Sequence, residues 1–186
     1  MSFTRQSLPT LPEVWVISPE VLPDARGLFF ESWHAAKFAE LGLDVVFVQD
    51  NHSISGAGVL RGLHYQLPPA AQGKLVRAVV GEIFDVAVDL RRSSATFGRW
   101  AGRRLSAENR EMLWIPPGFA HGFYVLGDGA EVVYKCTVDY SPEHDRTLRW
   151  NDPDLEIEWP LAADARPSLS DKDLGGASLH AAELFP

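Results

Sequence analysis

Short β-rich runs separated by turn signals recur through the middle of the chain: Leu43 to Val48, Val59 to Gln66, Leu75 to Val80, Ile83 to Leu90, Arg99 to Leu105, Met112 to Ile115, His121 to Leu126 and Glu131 to Thr137. Runs of this length, rich in β-branched and aromatic residues, read as strands, and their rhythm points to a sandwich or barrel. Gly81-Glu82 and Gly127-Asp128-Gly129 stand between successive runs at hairpin distance, so antiparallel neighbours are expected there.

Little else has helical character. Ser32 to Leu41 predicts one amphipathic helix, with Ser32 as N-cap, Phe38 and Leu41 on its apolar side and Gly42 as its stop. A second short helix is expected between Ser178 and Leu184. Pro153, Pro160 and Pro167 break up the intervening stretch, which predicts loops that wrap over the barrel from about residue 150. At 186 residues the chain suits a single domain spanning 1–186.

Several function classes fall away on composition. No run reaches the roughly 20 apolar residues of a membrane span, and MSFTRQSLPT at the N-terminus lacks an apolar signal-type stretch, so no membrane contact and a cytoplasmic location are expected. A formal charge of −8 argues against nucleic acid as a partner, because phosphate-backbone binding needs clustered Lys and Arg. Cys136 is the lone cysteine, which excludes an internal disulfide and a cysteine-based zinc site.

Against this background, Gly58 to Gln66 (GVLRGLHYQ) and the following Gln72-Gly73-Lys74 stand out. They put an arginine, a histidine, a glutamine and a lysine into what otherwise reads as barrel interior. A buried charge costs several kcal/mol unless it is paired or meets a ligand, so an anionic or proton-active ligand is expected. Strand alternation places His64 with Gln66 and puts Arg61 on the other face; one site can use both only if Gly62 hosts a bulge. Further along, Tyr134 shares a face with Val132 and Cys136 and is expected to point inward.

Gly58 to Gln66 resembles a degraded cupin metal motif in which Gln66 replaces the second histidine, and Pro116 to His121 resembles its second half, with Val125 in place of the closing asparagine. Lys74 beside such a cluster disfavours a cation. The resemblance implies an all-β cupin-type jelly roll, a double-stranded β-helix with short peripheral helices, that works without a metal.

A closer resemblance covers residues 24 to 173. Asp24-Ala25-Arg26-Gly27, Phe30-Glu31-Ser32, Val48 to Ser53, Val59 to His64, Gln72-Gly73-Lys74, Phe84 to Arg91, Ile115 to Phe123, Tyr134-Lys135 and Leu169 to Asp173 are similar, in order, to the dTDP-4-dehydrorhamnose 3,5-epimerase family. It implies a metal-free, cofactor-free isomerase acting on dTDP-4-dehydro-6-deoxy-D-glucose. By the match, His64 is the base, Asp173 orients it, Lys74 stabilises the enolate and Tyr134 is the acid. Arg26, Glu31, Gln49, Asp50, Asn51, Arg61, His121 and Lys172 match positions that contact nucleotide or sugar, Phe29 and Tyr140 are candidates to pack on the base, and the acidic ligand falls on Asp145 or Glu143. The match also implies a homodimer; Val14 to Ile17 reads either as a strand exchanged between copies or as an ordinary edge strand. The alternatives are a single-site epimerase at C3 or C5, a non-catalytic sugar-nucleotide-binding cupin, and a metal-dependent cupin oxygenase, which Gln66 disfavours.

Overall fold

The computed structural model describes residues 1–162 and 165–186. In chain order it contains β1 (Phe3–Ser7), β2 (Trp15–Pro19), β3 (Leu22–Asp24), β4 (Gly27–Phe29), α1 (Ala35–Glu40), β5 (Gln49–Gly56), β6 (Leu60–Gln66), β7 (Lys74–Asp89), β8 (Trp100–Ser106), β9 (Met112–Ile115), β10 (Phe119–Cys136), β11 (Asp145–Thr147) and α2 (Asp171–Leu174). The expected all-β jelly roll with short peripheral helices is what the chain forms.

Two long strands organise it. β7 and β10 pair antiparallel from Phe119↔Asp89 to Cys136↔Lys74, with register shifts between Leu126 and Ala130 and between Glu131 and Val132. Before the bend, β7 pairs with β9; after it, with β8. β10 pairs first with β6 and then with β5. Each strand therefore belongs to both layers: β1-β2-β9-β7-β10-β5 on one side and β8-β7-β10-β6-β11 on the other.

This arrangement corrects the hairpin reading. Gly81-Glu82 and Gly127 to Gly129 are bends inside continuous strands, and they lie against each other. A Cβ on Gly81, at φ +69°, would stand 2.0 Å from the Gly129 carbonyl oxygen. A glycine-containing break looks alike in sequence whether the chain reverses or only bends, and here the partner strand bends with it.

The layers enclose a core of Val76, Ala78, Ile83, Phe123, Val125 and Val132. A second cluster joins Leu63, Val86, Val88 and Leu90 to Leu148, Leu155, Leu179 and Phe185 of the C-terminal segment. The third packs Phe38 of α1 with Phe3, Ile17, Leu43 and Trp114.

Other expectations shift. Leu43 to Val48 is not a strand: its alternation is real, with Leu43, Val45 and Phe47 turned toward the α1 cluster and Val46 and Val48 exposed, but packing rather than a ladder satisfies it. α1 starts at Ala35 instead of Ser32; its N-cap is the extended His34, with no side-chain cap bond, because Trp33 is drawn onto Phe38 and Phe47, ring centroids 4.3 and 4.7 Å away. Gly42, at φ +93°, follows its end as expected. Ser178 to Leu184 forms turns, and the short helix lies at Asp171–Leu174. Within one chain Val14 to Ile17 runs into β2, which is hydrogen-bonded on one side to β1 and on the other to β9, so it is not an edge strand of that chain. No helix among the described residues is long and apolar enough to cross a membrane.

Candidate active site

The conflict over Arg61 and His64 is resolved at Gly62. Across the β10–β6 ladder His121 faces His64 while Phe123 faces Arg61, so β6 spends one residue more than its partner. Gly62 takes φ +131°, and a Cβ there would lie 2.5 Å from Gly122 Cα. Only glycine fits this bulge, and through it Arg61 and His64 line one cavity of about 270 Å³.

His64 is held by α2. Its Nε2 lies 2.6 Å from Asp173 Oδ1, which also accepts from the Gly62 N–H at 3.3 Å. Ser170 caps the helix by accepting from the Asp173 N–H, and its hydroxyl donates to Asp173 Oδ2 at 2.7 Å. Burial pulls the Asp173 carboxyl up, but the bonds from His64, Ser170 and Gly62 outweigh it and hold it below the usual range. For His64, burial pushes the imidazole below its ordinary value; the bond to Asp173 opposes this, and Lys172 and Lys74 add to the lowering. A neutral imidazole beside a fixed carboxylate results, with Nδ1 as the free lone pair.

Lys74, a buried residue, opens β7 with its ammonium directed to the His64 carbonyl at 3.5 Å. Burial lowers its pKa. Tyr134, on the second half of β10, belongs to the same layer as Lys74 and lies across from His64, and burial raises its phenol. His121 lies with its ring centroid 6.5 Å from that of Tyr134 and binds Asp85 Oδ1 through Nε2 at 2.6 Å.

The structure thus brings His64, Lys74, Tyr134, Asp173, Arg61, His121 and Lys172 to one cavity. Arg61 is steadied by the Ser55 hydroxyl at 3.0 Å. An adjoining cavity of about 360 Å³ shares His64, Lys74, Tyr134 and Lys172 and adds Gln49, Asn51, Tyr140 and Asp145. Of the two acidic candidates, Asp145 lines this cavity and the exposed Glu143 does not: Asp145 Oδ2 accepts from Tyr140 Oη at 3.0 Å and pairs with Lys172.

Four expected residues are not at these cavities. Asp50 points off the outer face of β5, because alternation turns Gln49 and Asn51 inward, and it pairs with Lys135 at 2.9 Å. Arg26 and Phe29 ride on the exposed β3–β4 hairpin, Arg26 paired with Asp24 at 2.5 Å and Phe29 63% exposed. Glu31 pairs with Lys37 at 2.5 Å.

Sequence reasoning passed over Asp85, Ser170 and Ser53. Asp85 is fully buried within the otherwise apolar Ile83 to Val88, and a carboxylate in such a run needs a partner; that was a usable signal. Ser170-Asp171-Lys172-Asp173 carries the Ser-x-x-acid spacing of a capped helix start. Ser53 gave none; its buried hydroxyl, like Asp85 Oδ2, has no hydrogen-bond partner among the described residues. Among them, no group of three or more His, Cys, Asp or Glu converges as a metal site would require.

Comparison with known proteins agrees over nearly the whole chain. The family described as dTDP-4-dehydrorhamnose 3,5-epimerase matches residues 9–181. The dTDP-4-dehydrorhamnose 3,5-epimerase of Pseudomonas aeruginosa is 58% identical over 177 residues, 95% of this chain and 96% of the relative. A dTDP-6-deoxy-D-glucose-3,5-epimerase from Legionella pneumophila, solved in complex with dTDP-4-keto-L-rhamnose, superposes with a TM-score of 0.91 at 47% identity, covering 96% of this chain and 93% of that one. The 3'-monoepimerase ChmJ of Streptomyces bikiniensis, solved in complex with dTDP-quinovose, gives 0.87 at 34% identity, over 95% and 88%. On fold, site and sequence alike, the chain belongs to the dTDP-4-dehydrorhamnose 3,5-epimerase family.

Proposed function

We propose that this protein is an isomerase that epimerises dTDP-4-dehydro-6-deoxy-D-glucose at C3 and C5 to dTDP-4-dehydro-L-rhamnose. The observation that carries this is the 2.6 Å His64–Asp173 pair on one layer facing a cavity that Tyr134 enters from the other. A base and an acid on opposite walls are what inversion at carbon requires; a binding protein has no use for them.

The 4-keto group acidifies the hydrogens at C3 and C5. His64 Nδ1 removes one, and Asp173 stabilises the imidazolium that forms. Charge passes to the ketone oxygen, where the Lys74 ammonium meets it; a preorganised donor at a developing oxyanion is worth about 3–4 kcal/mol. Tyr134 then delivers a proton to the opposite face of the same carbon. His64 then gives its proton up to solvent and Tyr134 takes one from it, and repetition at the second carbon completes the double inversion, with both proton carriers drawn from the chain itself.

Arg61 and Lys172 are suited to the diphosphate, Arg61 through the fork of its guanidinium. Tyr140 offers a ring to the base. Arg26, Phe29 and Glu31 serve the site from a second copy: the hairpin that carries Arg26 and Phe29 is exposed with Glu31 just beyond it, and Val48, Ile54 and Val80 leave an apolar outer face beside β5 for a homodimer to cover. A cytoplasmic location fits a nucleotide-sugar substrate.

The test is incubation with dTDP-4-dehydro-6-deoxy-D-glucose in deuterated water, followed by NMR. Deuterium at both C3 and C5 of an L-configured product is expected. Label at one carbon would reassign the protein as a single-site epimerase like the Streptomyces neighbour, and label at neither would sink the epimerase reading.

A further inference from the structure

Residues 138–141 follow the end of β10 as irregular backbone, yet side-chain amides bind every one of them. Gln72 Nε2 donates to the Val138 carbonyl at 2.5 Å, and Gln66 Nε2 to that of Asp139 at 3.2 Å. The Tyr140 N–H donates to Gln49 Oε1 at 2.8 Å, and the Ser141 N–H to Gln66 Oε1 at 2.8 Å. Three glutamines from separate parts of the barrel thus take the place of a neighbouring strand.

Gln66 is the centre of this arrangement. It is 4% exposed, and its other amide hydrogen goes to the Ala70 carbonyl at 2.8 Å, so both ends of the amide are committed to backbone. The residue at the degraded cupin ligand position therefore ties two loops to β6. Tyr140, between these anchors, is 56% exposed and lines the adjoining cavity while its hydroxyl reaches Asp145.

We infer that Gln66 and Gln72 are positioning residues for substrate binding, which hold residues 138–141 ordered before the ligand arrives so that Tyr140 presents a fixed ring to the nucleoside base; this rests on the nucleotide-sugar reading above. Ordering a free segment costs backbone entropy, and a segment ordered in advance does not take that cost out of affinity. Neither glutamine needs to touch the reacting carbons, so the effect belongs to binding rather than to turnover.

The test compares Gln66→Leu and Gln72→Leu, each alone and with Tyr140→Ala, by KM, kcat, calorimetric binding of dTDP alone, and thermal unfolding. Each single variant should raise KM and the dTDP dissociation constant roughly tenfold, with kcat held within about twofold. In the Tyr140→Ala background the same changes should add less than about twofold, because the residue being positioned is gone. Should Gln66→Leu fail to fold, the half-buried Gln72 decides the matter. Unchanged dTDP affinity in folded Gln72→Leu, a fall confined to kcat, or full additivity with Tyr140→Ala would overturn the inference alone. Failure of the wild type to bind dTDP would overturn the functional reading and this inference together.

Discussion

His121 faces His64 directly across the β10–β6 ladder, and each imidazole is bound through Nε2 to a carboxylate oxygen 2.6 Å away. The two pairs differ in surroundings. His64 opens to the cavity, whereas His121 and Asp85 are buried.

His121→Ala would strand the Asp85 carboxylate without its partner. Leaving one member of a buried pair uncompensated costs about 3–5 kcal/mol, so urea unfolding should show a loss of that order. A change below about 1 kcal/mol would mean that Asp85 finds another partner.

Asp173→Asn tests the orientation of the base. Turnover should fall roughly 10²- to 10⁴-fold while the fold persists. His64 must be neutral to act, so kcat/KM declines as pH falls through its pKa; burial sets that value below the ordinary 6.5, and the wild-type plateau should extend below it. Removing Asp173 takes away an influence that raises the imidazole, so the inflection should move lower still. An upward move in the pH–rate profile would contradict the assignment.

Tyr134→Phe should let His64 exchange protons with solvent but deprive the opposite face of its donor. Deuterium should then enter the substrate with its configuration kept, as read by NMR of the recovered sugar. Normal inversion would identify another acid.

Lys74→Met removes a buried ammonium whose charged form burial disfavours. Thermal unfolding should stay level or rise while kcat falls roughly 10²- to 10³-fold, the scale for one oxyanion donor. A collapse in stability would make Lys74 structural instead.

Much of the fold was legible because strand periodicity is local. The runs Met112 to Ile115 and Val59 to Gln66 needed no knowledge of their partners. Where partners decide, the reading failed: a glycine bend in β7 has the same local signature as a hairpin, and Leu43 to Val48 alternates without a ladder. In the site, the Arg61–His64 parity conflict pointed to Gly62 before the bulge was seen. Phe29 and Glu31 entered through family likeness alone, and within one chain nothing draws them or Arg26 to His64.

The bend in β10 has a consequence for how this protein can change over time. His121 and Tyr134 sit on one continuous strand, on either side of Gly127 to Gly129, and which way each points depends on counting residues in twos. At the bend, losing a single residue would put Lys135, and gaining one would put Val133, in the place of Tyr134 at the cavity wall and send the phenol outside. Odd changes in length at the bend therefore cost the site its acid, and Gly127, at φ +68°, is held to glycine as well, so related chains should vary at Asp128 while keeping the parity.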